Sequence, residues 1–510
     1  MSWLKAPIHL YRLARAGVVL ARAGLPGVMG FAETMPAGLR RISDWLAGDG
    51  EAGSEELSRT LTMLGPSYIK LGQFLATRPD IIGLRGAAGL AMLHDQLEPF
   101  AASEAEAEVE RALKAPARQV FARFGPPVAA ASIAQVHHAE TDEGPVAVKV
   151  LRPGVERRFA EELEGFYLAA RLVELCHRPS RRLRPVDVVA TLERSVEIEM
   201  DLRLEAAAMS EMAENMEGQA EFRVPRVDWA RTARRVLTSE WIDGTALSDR
   251  RGLEASGHDL RQIARVVIQS FLSQALEHGF FHADMHPGNL FVDDEGRLVA
   301  VDFGIMGRLG MKERRFLAEI LWGFITRDYR RTAEVHFEAG YVPVRHTAAE
   351  FAQALRAIGE PLAGRRAEEI SMAQLLTQLF EVTEQFDMKT RPELLLLQKT
   401  MVVTEGVARA LDPALDMWTT ARPVVGGWME RRLSPEGRIK DAAEGAASIG
   451  RIVENLPELL EQAERAATAF AATTREDAWG GRADRDRPVP AAIWWVGAIS
   501  LAVIALAQIW

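Results

Sequence analysis

His282-Ala283-Asp284-Met285-His286-Pro287-Gly288-Asn289, followed across a short hairpin by Asp302-Phe303-Gly304, is the stretch on which the fold turns. The hairpin spans Asn289 to Val301. It reverses at Asp293-Asp294-Glu295-Gly296, between the apolar runs Leu290-Phe291-Val292 and Leu298-Val299-Ala300-Val301. Folding it back brings two carboxylates and an amide, Asp284, Asp302 and Asn289, to one edge. Magnesium takes hard oxygen ligands, few of them from protein when phosphates and water supply the rest, so Asn289 and Asp302 are the candidate metal ligands.

An aspartate with an asparagine five positions on, a hairpin and then Asp-Phe-Gly is the ordered pattern of a kinase-like catalytic loop. In that pattern Asp284 is the candidate general base, the carboxylate that accepts or orients a proton of the attacking hydroxyl. His282 and His286 are read as packing and hydrogen-bonding posts rather than metal ligands.

Upstream of this stretch, three short runs rich in apolar and β-branched residues predict antiparallel strands at Val120–Phe124, Ile133–Glu140 and Val146–Leu151. Gly125-Pro126-Pro127 and Asp142-Glu143-Gly144 separate them. Val146-Ala147-Val148-Lys149 on the third strand matches the pattern whose lysine holds nucleotide phosphates and pairs with a helix glutamate. Candidate partners lie in Glu197–Glu205, where Asp201 and Glu205 fall on one helical face and Glu199 is turned away. The loop expected to cover the phosphates is Ala129-Ala130-Ala131-Ser132-Ile133-Ala134-Gln135. Alanine lacks glycine's access to positive φ, so this loop is expected to be stiff and to meet phosphates differently from a glycine-rich one. Leu237 to Gly244 reads as a strand becoming the interlobe hinge, with Glu240 and Ile242 placed to meet adenine.

Composition bounds the alternatives. A net charge of -10 over 510 residues gives no pull toward nucleic acid. Cys176 is the only cysteine, which excludes intramolecular disulfides, iron-sulfur clusters and cysteine-based zinc sites. No flavin fingerprint or iron-binding triad is visible. The basic, partly apolar segment Lys5–Arg22 predicts an amphipathic helix, equally suited to a membrane surface or to packing on its own domain. Val489–Trp510 is almost wholly apolar and about the ~20 residues needed to span a bilayer. Arg482, Arg485 and Arg487 before it predict a single-pass anchor with the body on the cytoplasmic side of a bacterial inner membrane.

Taken together the motifs resemble the UbiB/ADCK family of atypical kinases, over roughly Leu61 to Pro413. Lys70-Leu71-Gly72-Gln73 matches that family's KxGQ signature, and the alanine-rich loop is its second mark. The resemblance implies a lid helix over the site carrying Lys70 and Gln73, with Lys70 meeting the acidic pair Glu199 and Asp201. Glu205 then becomes the partner of Lys149. It also implies ATP and Mg2+ as cofactors, and membrane lipids, isoprenoid quinone intermediates, other ubiquinone-biosynthesis proteins and a second copy of the chain as partners. Glu405–Pro413 extends the resemblance and is read as structural.

The expected architecture is α+β: a protein-kinase-like bilobal fold with an N-terminal helical KxGQ extension and a C-terminal transmembrane helix. Its expected parts are a basic amphipathic membrane-associated segment 1–50, the helical KxGQ extension 51–117, a kinase-like N-lobe 118–243, a helical C-lobe 244–420, a helical linker region 421–488 and the transmembrane anchor 489–510. No Ala-Pro-Glu platform follows Asp302-Phe303-Gly304, and the KxGQ helices would fill a peptide groove, so protein phosphorylation is disfavoured. Three activities stay open: an ATPase coupled to lipid handling, a nucleotide-switched scaffold, and a small-molecule or lipid kinase.

Overall fold

Val146, Val148 and Val150 face one side of a strand, and Ala147, Lys149 and Leu151 face the other, the period-two pattern of a sheet covered on its back. In the computed structural model that strand is the middle of a four-stranded antiparallel sheet. β1 (Arg123–Ala130), β2 (Ala134–Thr141), β3 (Gly144–Leu151) and β5 (Val236–Glu240) lie in the order β1-β2-β3-β5. Lys149 is opposite Val136 on one side and Leu237 on the other. The back face is closed by a helix, Ala102–Leu113, whose Ala105 and Val109 join the buried cluster of Phe121, Ala139, Val146, Val148, Val150 and Val236.

The structure describes residues 6–22, 54–76, 97–176, 184–360 and 392–433, with isolated positions at 90, 181, 382 and 385–388. The chain divides into two units, Met1–Val425 and Gly426–Trp510, and everything that follows concerns the first. The predicted anchor Val489–Trp510 lies outside the described residues. Among the described residues no helix is long and apolar enough to cross a membrane.

In chain order the helices that matter are α1 (Ala6–Arg22), α2 (Ser54–Leu64), α3 (Pro66–Ala76) and α4, the Ala102–Leu113 helix already met. After β3 come α5 (Val155–Cys176), α6 (Pro185–Glu199) and α7 (Leu202–Asn215). β4 (Phe222–Arg223) lies parallel to β9 (Leu298–Ala300) in a second sheet, β4-β9-β8-β6, with β6 at Gly244–Ala246 and β8 at Leu290–Asp293. The hairpin β8–β9 is the one predicted, with Leu290 opposite Ala300. Then follow α8 (Leu260–Ser273), a π-helical turn at Gln274–His278, β7 (Phe280–His282) paired with β10 (Met306–Arg308), and the C-lobe helices, among them α9 (Pro392–Leu411).

Two expectations are corrected. The first strand is not Val120–Phe124. Ala117–Val120 is a helical turn, and β1 runs through Gly125-Pro126-Pro127, which the composition suggested as a break. Prolines lack the N–H a ladder needs, and β1 accommodates them as an edge strand with register shifts at Pro127. Asp201 and Glu205 do not share one helix: α6 ends at Glu199, and Asp201 caps α7 by accepting from the Arg203 N–H. The division between the two units, after Val425, falls close to the boundary expected at 420–421, and the helix Met417–Leu433, which carries Pro423 in its interior, runs through it. The N-terminal helix α1 packs on its own unit: Ala16 is buried, Leu13 lies beside Gly165 of α5, and Arg12 donates to Glu161 at 3.2 Å.

Candidate active site

β3 delivers Lys149 to the cleft, where its ammonium donates to Glu205 Oε1 at 2.8 Å and to Asp302 Oδ1 at 2.9 Å. Glu205 comes from the first turn of α7, and Asp302 from just beyond β9, where φ is +60°. Such a left-handed backbone is uncommon outside glycine and marks a residue held by its surroundings.

The three charges set one another. Burial alone would deprotonate Lys149, but the carboxylates of Asp302 and Glu205 outweigh it and hold the ammonium above the usual lysine value. Burial dominates at Glu205 and pushes its carboxyl up to about 7 against the pull of Lys149. Asp302 is desolvated too, though 45% of its side-chain surface stays accessible; the Lys149 ammonium prevails and keeps its carboxyl below the ordinary range. Lys149 is thus a fixed cation with Asp302 as its fixed anion.

Across the cleft, Asn289 Nδ2 donates to Asp284 Oδ2 at 3.0 Å and to the Asp284 carbonyl at 3.1 Å. This turns the amide nitrogen to Asp284 and leaves the Asn289 Oδ1 as the oxygen presented elsewhere. His282 is wholly buried. Its Nδ1 accepts from the Asp284 N–H at 3.1 Å and its Nε2 faces the Val301 carbonyl at 3.2 Å, so the fitting tautomer carries its proton on Nε2. Both ring nitrogens are thereby spent on backbone, and burial holds the imidazole below its ordinary pKa. His286 Nδ1 accepts from the Gly288 N–H at 3.2 Å.

A magnesium nucleotide fits this donor set. Among the described residues no group of three or more His, Cys, Asp or Glu side chains gathers as a metal cage. A divalent ion held by Asp302 and the Asn289 oxygen would draw its remaining ligands from phosphates and water, as magnesium prefers.

The lid is α3. Gly65, at φ +110°, makes the turn from α2, and a Cβ there would collide with the Arg158 guanidinium. Lys70 is buried and pairs with Glu199 at 2.6 Å, and its charge helps to lower the Asp302 carboxyl. Of the expected acidic pair, Glu199 meets Lys70. Asp201 instead takes both ends of Arg203, at 2.9 and 2.6 Å. Gln73 is half-buried on the same helix, its Oε1 shut off from solvent.

The alanine-rich loop is shorter than read from sequence. Ala129 and Ala130 end β1, Ala131, Ser132 and Ile133 turn, and Ala134 and Gln135 begin β2. Gln135 does not face the cleft. Strand parity puts it on the back face, where it accepts from the Phe100 N–H at 2.9 Å and donates to the Phe100 carbonyl at 3.3 Å. Glu240 ends β5 with its carboxylate on Arg223 at 2.7 Å and its N–H given to the Arg226 carbonyl, and Ile242 follows half-buried.

Sequence reading missed two supports of the catalytic loop. Gln274, in the π-helical turn, accepts from the His282 N–H at 3.0 Å, and Thr400 of α9 donates to the Ala283 carbonyl at 3.1 Å. Neither carries a motif; a buried threonine in an apolar helix announces nothing until the loop it touches is placed.

Two family models match the chain: an ABC1 atypical kinase-like domain over residues 92–336 and a UbiB helical domain over residues 355–416. A relative from Marinobacter nauticus called probable protein kinase UbiB is 39% identical over 415 residues, covering 80% of this chain and 76% of its own. One of the same name from Azotobacter vinelandii is 39% identical over 416 residues, with the same shares. A solved structure described as the complex of Rv3197 with erythromycin from Mycobacterium tuberculosis is 24% identical. It covers 74% of this chain and 96% of that one, at a TM-score of 0.48.

Proposed function

The chain belongs to the UbiB family of atypical kinases, and on that premise we propose that it binds magnesium ATP and couples ATP turnover to the handling of isoprenoid lipid intermediates in ubiquinone biosynthesis. The observation that carries this is Lys149 shared between Glu205 and Asp302, opposite the Asp284–Asn289 pair.

Lys149 grips the phosphates, with Glu205 holding it in place. Asp302 and Asn289 orient the metal, which when bound neutralises charge building on the transferred phosphoryl group. Asp284 orients the nucleophile, water or a hydroxyl. The acceptor is small: a lid helix carrying the KxGQ motif would fill the groove a peptide needs, and α3, fastened by Lys70 to Glu199, supports that reading. Relatives bear the name protein kinase, and the lid argues against that activity here. Membrane attachment rests on the sequence of Val489–Trp510, and the quinone intermediates, fellow biosynthetic proteins and a second copy of the chain belong to the same proposal.

A second reading, a nucleotide-switched scaffold, draws support from the alanine turn, because a loop without glycine is poorly suited to the flexing of rapid turnover. A lipid or metabolite kinase is the third, kept by Asp284. Steady-state phosphate release from magnesium ATP, with and without liposomes and a phenolic lipid, separates them. Release stimulated by lipid is the expected result. Tight nucleotide binding without release would replace it with the scaffold, and label accumulating in an acceptor with the kinase.

A further inference from the structure

Arg152 follows β3 and does nothing in the catalytic scheme, yet it is tied at both ends to the nucleotide loop. Its backbone N–H donates to the Ile133 carbonyl at 2.8 Å, and its Nε donates to the Ala131 carbonyl at 2.9 Å. The rest of the guanidinium reaches the segment before α4: NH2 donates to the Glu98 carbonyl at 2.9 Å, and the group lies 5.6 Å from the centre of the Phe100 ring. Gln135 clasps the same segment through Phe100, and the Leu97 N–H donates to the Ala130 carbonyl at 3.3 Å.

By strand parity the side chains of Arg152 and Gln135 share the face of Val148 and Val150, where Phe100 also packs, the side opposite Lys149. A trans peptide holds its C=O and the following N–H in opposite directions, and the described chain has no cis bond. With the Ala131 carbonyl held by Arg152, the peptide between Ala131 and Ser132 is fixed in orientation, its N–H directed away from the guanidinium. In a glycine-rich loop this orientation is reached by flexing; here a side chain imposes it.

We propose that Arg152 is a positioning residue for the nucleotide: by holding the alanine turn from behind, it fixes the backbone that meets the phosphates. This rests on the magnesium-nucleotide reading of the site. The full chain in detergent, titrated calorimetrically with magnesium ADP, tests it through Arg152→Gln and Arg152→Lys. Loss of a charged hydrogen bond that orients the turn is expected to weaken binding roughly tenfold or more in Arg152→Gln. Arg152→Lys, which keeps one donor and the charge, should fall between that variant and the parent.

A parent chain that binds no nucleotide would remove the nucleotide reading itself. A parent that binds, with Arg152→Gln binding equally well despite a lowered melting temperature, would overturn this inference alone. Should Arg152→Gln not fold, parental affinity in folded Arg152→Lys, which cannot span Ala131 and Glu98 together, would overturn it.

Discussion

The catalytic loop and the alanine turn are built in opposite ways. At Asp284, Asn289 and Asp302 the chemistry lies in side chains, held by backbone bonds from His282, Gln274 and Thr400. At Ala131–Ile133 the side chains are short and the backbone itself would meet the ligand, braced by Arg152 and the segment ending at Phe100. On the proposed function the contrast separates two jobs: phosphoryl chemistry from the first region, nucleotide grip and selectivity from the second. Substitutions on the two sides should therefore fail differently.

The largest effect should come from the catalytic loop. Asp284→Asn is expected to slow phosphate release by about 100-fold or more, the range of positioned proton transfer, while nucleotide affinity stays near the parent's. Rapid-quench turnover beside calorimetric binding checks it, and equal losses in both would erase the proposed division. Lys149→Met should destabilise the chain by about 3 kcal/mol, because it leaves Glu205 and Asp302 without their shared cation. Chemical denaturation measures this, and an unchanged midpoint would contradict it.

The same charges predict a pH dependence. Glu205 is raised from its ordinary 4.5 to about 7, so between those values the folded state binds more protons than the unfolded one. Its contribution to stability therefore falls as pH rises from 4.5 to 7 and is level above. Asp302 has the opposite sign: held below its ordinary 3.8, it adds stability above that value and loses it in stronger acid. Glu205→Gln should flatten the melting profile between pH 4.5 and 7, and a profile superimposable on the parent's would show that the burial of Glu205 is not felt. The smallest effect is expected at the turn, where Ala131→Gly should shift the ratio of ADP to ATP affinity a few-fold and leave the fold intact; its free-energy cost is about 1 kcal/mol at most. Unchanged affinities for both nucleotides would take the turn out of the account.

What the sequence made legible follows the same line. Side-chain chemistry at fixed spacing was readable: the hairpin, Lys149 on its strand and Lys70 facing Glu199 all follow from local pattern or family resemblance. Geometry that depends on distant partners was not. Gly125-Pro126-Pro127 looked like a break because prolines oppose a ladder, and only its edge position makes it a strand. Gln135 looked like loop until strand parity put it behind the sheet. Asp201 seemed to share a helical face with Glu205, but its use as a cap ends one helix and begins the next. Thr400 and Arg152 act through backbone carbonyls far along the chain, a role that leaves no motif.

The central claim is that Asp302 and Asn289 present a magnesium nucleotide to Lys149, and Asp302→Asn tests it most directly. Binding of ATP to the full chain, titrated with and without magnesium, should show strong magnesium dependence in the parent and none in the variant, which keeps its fold. Magnesium dependence preserved in Asp302→Asn would contradict the account.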